Sequence, residues 1–223
     1  MDEILKKENR KIIRIALGMF TAFLLWTAAL RLVDVQPIGP LGSAVGFATV
    51  NRFFHTFTGT HMALYTLTDW LGLVPVGVAF GFALFGLVQW IRRRNFLHVD
   101  RDLLWLGGFY LAVAAAYLIF EVIPVNYRPV LIGGRLEVSY PSSTTLMTAC
   151  VMPAALLQLK CRIKTRPLRR FVCCAIAVFT AFMIVGRFLS GVHWFSDIVG
   201  GLLLSAALVT AYAAVTENID RKQ

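Results

Sequence analysis

Six mostly apolar runs set the rhythm of the chain, at residues 12–32, 70–91, 103–123, 143–159, 171–188 and 195–215. A bilayer core of about 30 Å requires about 20 apolar residues per spanning helix, and each run comes close to that length. None shows the two-residue alternation of a barrel strand, and a helix is then the other backbone form that satisfies its own polar groups in lipid. The pattern predicts an all-α, six-span transmembrane helical bundle, with residues 1–223 forming a single integral membrane domain. The one long connection, residues 34–69, mixes Phe53, Phe54, Phe57, Tyr65 and Trp70 with Asn51, Arg52, His55 and His61. That mixture predicts an interfacial helix between spans 1 and 2 rather than a seventh span. Gly77 and Gly81 have the spacing at which helices approach closely, which predicts packing of the second span through that pair.

Composition agrees with a lipid environment, since 58% of the 223 residues are hydrophobic and only 15% are charged. The formal net charge of +10 raises nucleic acid as a partner, but the cations cluster between apolar runs and form no contiguous basic face, so that class is set aside. Position gives them another meaning. Basic residues concentrate before the first run (Lys6, Lys7, Arg10, Lys11, Arg14), in 92–101, in 160–170 and in the tail (Arg221, Lys222). With six spans these four stretches fall on one side, so both termini are expected to be cytoplasmic. The first run is too long for a cleaved signal and is read as a retained span. The four cysteines, Cys150, Cys161, Cys173 and Cys174, lack metal-ligand spacing and fall in the membrane or on the cytoplasmic side, where reduced thiols are expected.

This topology gathers the remaining polar residues on the opposite, non-cytoplasmic face. Arg128 follows the third span, Ser142, Ser143 and Thr144 open the fourth, Arg187 ends the fifth, and His193 with Asp197 opens the sixth. Singly, each has an ordinary structural explanation: a snorkelling arginine, a serine helix cap, a buried hydrogen bond. Ionisable groups at membrane depth are costly, however, and four of them at one level argue for a site. Its chemistry suits an anion. The start of the fourth span offers unpaired N–H groups and the positive end of a helix dipole, and Arg128 and Arg187 add guanidiniums that bind phosphate oxygens in pairs. His193 can attack phosphorus through one ring nitrogen while Asp197, one turn on, holds the other.

These residues resemble the type 2 phosphatidic acid phosphatase family of lipid phosphatases and related haloperoxidases. The third family motif, Ser-Arg, five residues, His, three residues, Asp, is matched at 186–197, with Gly186 in place of the serine. The likeness covers about residues 121–201, and it implies that His193 is a phosphohistidine-forming nucleophile, that Asp197 orients it, and that Arg128 and Arg187 bind phosphate, with no metal or cofactor. The first motif keeps Arg128-Pro129 but has Glu121 where the family has lysine, and the second reads Pro141-Ser142-Ser143-Thr144 where the family has Pro-Ser-Gly-His. Thr144 therefore stands in place of the histidine that protonates the leaving group. No spacing singles out Tyr127, Tyr140, His55 or His61 as its substitute. The reading is a membrane lipid phosphatase acting at the outer face, with a phosphorylated lipid as substrate. Because phosphate leaves a diphosphate without being protonated, Thr144 is expected to favour lipid diphosphates such as polyprenyl diphosphates. The alternative is a catalytically weakened relative that binds a phospholipid headgroup or passes phosphate to another acceptor.

Overall fold

A computed structural model describes residues 2–220, with side chains from Lys7 to Thr216; the tail cations Arg221 and Lys222, and the Lys6 side chain, lie outside the described residues. The described residues form eight α-helices: α1 (Asp2–Leu32), α2 (Ala48–Thr58), α3 (Met62–Leu71), α4 (Leu73–Arg93), α5 (Arg101–Val122), α6 (Ser143–Arg162), α7 (Arg166–Leu189) and α8 (Phe195–Asp220). Among the described residues, six segments are long and apolar enough to cross a membrane: Lys7–Leu32, Met62–Arg93, Arg101–Val122, Ser143–Arg162, Arg166–Leu189 and Phe195–Thr216. Burial ranks them. More than half of the apolar window of α6 (56%) lies inside the bundle and 44% of that of α8, whereas only 6% of the α3–α4 window does. Thus α6 and α8 form the centre, and the outer helices present Leu25, Leu111, Phe171 and Val178 outward, as a lipid-facing surface requires.

The second span differs from its expected limits. It begins at Met62, because α3 runs into α4 with a break at Gly72, whose N–H is shared between the carbonyls of Thr68 and Asp69. The interfacial segment proper is α2, which turns Val50, Phe53 and Phe57 outward and buries Asn51. Asn51 joins α2 to α8. Its Oδ1 accepts from the Ser196 N–H at 3.0 Å, in the first turn of α8, and its Nδ2 donates to the Gly46 carbonyl at 2.7 Å and to Ser196 Oγ at 2.9 Å. The Gly77 and Gly81 expectation does not hold, since a Cβ built at either position meets nothing within 4 Å. Both lie on the outer face of a peripheral helix, where no neighbour among the described residues meets them.

Between α5 and α6 the chain makes a short hairpin. Its arms pair through Arg128 N–H to the Glu137 carbonyl at 3.0 Å and Ser139 N–H to the Asn126 carbonyl at 2.9 Å. Gly133 and Gly134, with φ of 57° and 77°, form its tip. This hairpin lies at the Ser143 end of α6. The basic residues of the α6–α7 connection lie at the other end, about 30 Å away at 1.5 Å per residue.

Candidate active site

The turn from α7 to α8 carries the imidazole. Gly191 has φ +66°, and a Cβ there would lie 1.8 Å from the Gly59 carbonyl oxygen, so two main-chain segments pass with no room for a side chain. The Ser190 carbonyl accepts from the His61 N–H at 2.9 Å, which fastens the α2–α3 link to the same turn. Two residues on, His193 is 4% exposed. Its Nδ1 lies 3.1 Å from the Ser139 carbonyl, and its Nε2 lies 3.3 Å from Arg128 Nη1. A carbonyl can only accept, so Nδ1 carries the proton, and the Nε2 lone pair faces the guanidinium. Burial, reinforced by Arg128 and Arg187, holds this imidazole well below its ordinary pKa and keeps it neutral.

Asp197 is fully buried, yet its contacts differ from the expected ones. Its Oδ2 lies 3.8 Å from His193 Nδ1, beyond hydrogen-bonding reach, and accepts instead from the Trp194 N–H at 3.0 Å; Asn126 Nδ2 donates to its Oδ1 at 3.3 Å. The physical reason lies in its position in the first turn of α8, where it caps its own helix. Ser139, through its carbonyl, is the group that fixes the tautomer. The Asp197 carbonyl in turn accepts from Ser142 N–H at 3.1 Å, joining the starts of α6 and α8.

At the head of α6, Ser142 is buried and its Oγ accepts from Thr145 Oγ1 at 3.1 Å, so it does not cap the helix. The N–H groups of the first turn, which have no partner within the helix, are left for an outside acceptor. Ser143 and Thr144 are half-buried there. Thr144 Cγ2 would lie 3.5 Å from a Cβ at Gly72, which places Thr144 beside the α3–α4 break.

The two guanidiniums sit around one aromatic ring. Arg187 is 1% exposed; its Nη1 donates to Thr68 Oγ1 at 3.3 Å and to the Tyr65 carbonyl at 3.4 Å, and its Nη2 donates to Asp69 Oδ1 at 3.4 Å. The Arg187 guanidinium stands 4.8 Å, and that of Arg128 5.9 Å, from the centroid of Tyr65. Arg128 also forms an ion pair at 3.0 Å with Glu137, which is partly exposed. Each phosphate-binding candidate therefore rests against a carboxylate. That leaves two cations, two exchangeable counterions and one neutral imidazole, an arrangement able to take up a phosphoryl group.

The structure thus brings together Arg128, Arg187, His193, Asp197 and the 142–144 helix start. Glu121 stands exposed in the last turn of α5. Gly186, at the motif position where the family has serine, faces α3 closely: a Cβ would fall 2.9 Å from Thr68 Cγ2. Among the substitutes considered for Thr144, Tyr140 is buried with its hydroxyl 2.6 Å from Thr27 Oγ1, and His61 Nε2 lies 2.9 Å from the Thr58 carbonyl. His55 rests on Trp194, with ring centroids 5.5 Å apart. Sequence reasoning missed Tyr65, Thr68 and Asp69 on α3, together with Asn126, Glu137 and Ser139 on the hairpin. The available signal for Asp69 was a lone acid at the mouth of an apolar run. Among the described residues, no three His, Cys, Asp or Glu side chains converge as a metal site would need.

Comparison with known proteins places this geometry in a family. Comparison with curated protein sequences gave no match. Among solved structures, the chain is similar to the first transmembrane PAP2 type phosphatidylglycerolphosphate phosphatase from Bacillus subtilis, with 19% identity, a TM-score of 0.57, and coverage of 94% of this chain and 99% of that one. At that identity the likeness establishes a shared fold. The family description "PAP2 superfamily" matches residues 42–221, a span that takes in α2 through α8 and every residue of the site, and the chain belongs to that superfamily.

Proposed function

We propose that this protein is an integral membrane lipid phosphatase that removes a phosphoryl group from a lipid phosphate or diphosphate through a phosphohistidine at His193. The observation that carries the reading is the imidazole itself: buried, neutral, with Nδ1–H held by the Ser139 carbonyl and the Nε2 lone pair 3.3 Å from Arg128. Arg128, Arg187 and the first-turn N–H groups of α6 take the phosphoryl oxygens, a stabilisation that grows as negative charge spreads over them in transfer. Nε2 attacks phosphorus in line with the leaving oxygen, and the imidazolium that forms lies 3.8 Å from the Asp197 carboxylate. Water then hydrolyses the phosphohistidine and the electron pair returns to Nε2.

Thr144 supports a diphosphate substrate. A threonine hydroxyl does not protonate an alkoxide, whereas phosphate is a stable leaving anion at neutral pH; loss of acid catalysis costs about 10²–10⁴-fold where it is needed. The structural neighbour is described as acting on phosphatidylglycerolphosphate, in keeping with a phosphorylated lipid as the class of substrate. The basic stretches at the far end of the helices support placing the site on the non-cytoplasmic face, with both termini inside.

Phosphate release by purified protein from a prenyl diphosphate, phosphatidic acid and phosphatidylglycerolphosphate tests the reading. Wild type should release phosphate, fastest from the diphosphate, and His193→Ala should lose on the order of 10³-fold or more. Equal rates in wild type and His193→Ala would remove the enzyme assignment.

A further inference from the structure

Asp69, the counterion of Arg187, has no part in the chemistry described so far. Its Oδ1 is 3.4 Å from Arg187 Nη2, a single long contact, while its side chain is 56% exposed and the arginine only 1%. Its second carboxylate oxygen makes no hydrogen bond among the described residues. Arg187 does not depend on it for burial, because Thr68 Oγ1, the Tyr65 carbonyl and the Tyr65 ring already surround the guanidinium. The break between α3 and α4 brings this turn against the head of α6: a Cβ at Gly72 would lie 2.9 Å from the Asp69 carbonyl oxygen and 3.5 Å from Thr144 Cγ2. Thr144 is the residue that stands where a proton-transferring histidine would be. A carboxylate with one free oxygen, open to solvent on one side and touching the Arg187 guanidinium on the other, is thus carried by the helix turn that packs beside the position that has lost its proton carrier.

We infer that Asp69 is the general base of the second half-reaction, taking a proton from the water that hydrolyses the phosphohistidine. This rests on the phosphatase reading above and completes it. In the first step the Nε2–P bond forms, the bond from phosphorus to the leaving oxygen breaks, and a leaving phosphate departs as an anion with no proton required. In the second, the water oxygen attacks phosphorus, its proton passes to the Asp69 carboxylate, the P–Nε2 bond breaks, and its electron pair returns to Nε2. The products are inorganic phosphate and free imidazole, and Asp69 releases its proton through its exposed face. A base is needed here for every substrate, including those whose leaving group needs no acid, so a site with Thr144 still requires such a group.

The test uses full-length protein in detergent with farnesyl diphosphate radiolabelled at its terminal phosphate, under rapid mixing. Asp69→Asn keeps the size and polarity of the side chain and removes its basicity. The expected result is a normal first-turnover burst with an acid-labile phosphoenzyme of near-unit stoichiometry, and steady-state turnover slower by about 10²–10⁴-fold. Thr144→His in the Asp69→Asn background should restore part of that turnover, since an imidazole there meets the same water. Glu137→Gln, which removes the counterion of the other arginine, should change KM without accumulation of phosphoenzyme.

Three results overturn the inference. One is Asp69→Asn turnover within about threefold of wild type, well under the usual worth of a general base. Another is loss of burst and turnover together, which would make Asp69 a support for Arg187 alone. The third is a wild-type protein that forms no His193-dependent phosphoenzyme; that overturns the phosphatase reading as well, and His193→Ala run alongside identifies this case.

Discussion

Gly191→Ala tests how the site is held. The added methyl would sit 1.8 Å from the Gly59 carbonyl oxygen, and ordinary contact begins at 3.4 Å, so the two main-chain segments must part by about 1.6 Å. Neither is the end of a flexible side chain, and the Ser190 carbonyl is tied to the His61 N–H at 2.9 Å across the same junction. Alanine also meets a left-handed φ of +66°, which costs about 1 kcal/mol relative to glycine. His193 lies two residues away, and its Nε2 contact with Arg128, at 3.3 Å, is already near the limit of hydrogen bonding. A shift of about 1 Å therefore breaks it, and misplacement of that size costs about 10²-fold in rate, or about 2.7 kcal/mol of transition-state stabilisation. Phosphate release and thermal unfolding, measured on the same purified sample, should show kcat down by about 10²-fold and a lower Tm. A Gly191→Ala protein with wild-type kcat would refute the claim that this main-chain crossing positions the imidazole.

Three further outcomes follow from the geometry. Attack needs neutral His193, and burial with two neighbouring guanidiniums disfavours its cation, so the acid limb of kcat/KM should fall below the ordinary imidazole value of 6.5. In the unfolded chain His193 regains its ordinary affinity for protons, so its contribution to stability is present above pH 6.5 and is lost as pH falls towards the lowered folded value. A limb at or above 6.5 contradicts the neutral, buried imidazole. Asn51→Leu leaves the buried Ser196 N–H and Gly46 carbonyl without their partner, at about 1–3 kcal/mol for each group, and should lower Tm; an unchanged Tm would show that α2 does not hold α8 in place.

The spans were legible because each is a mostly apolar run of about membrane length, although the polar residues of α3 hid the start of the second, which lies at Met62. Arg128, Arg187, His193 and Asp197 were legible because ionisable groups at membrane depth are costly and four of them coincide on one face, and because their spacing matches a motif. The contribution of α3 was not legible. Tyr65, Thr68 and Asp69 lie in a stretch whose aromatic and polar mixture describes a membrane interface equally well, and only the break at Gly72 shows that they turn towards Arg187. Asp197 illustrates a different limit. Its spacing from His193 gives proximity, but the choice between an imidazole and a helix start is made by the Trp194 N–H and by Ser139, whose carbonyl any residue could have supplied. Gly77 and Gly81 show that a pairing motif says nothing about whether a partner helix is there to meet it.

The cradle around His193 is built largely from peptide groups: the Ser139 carbonyl, the Ser142 N–H on the Asp197 carbonyl, the His61 N–H on the Ser190 carbonyl, and the crossing of Gly59 with Gly191. Apart from the crossing glycines, such joints are indifferent to which amino acid supplies them. Side chains at Glu121 and Thr144 are therefore free to drift from the familiar pattern while the imidazole stays in register, whereas the close approach of Thr68 leaves little room beyond glycine at position 186. A relative that shares fewer than one residue in five can then carry the same architecture, and kinship at this level is better sought in how the backbone is joined than in how its letters align.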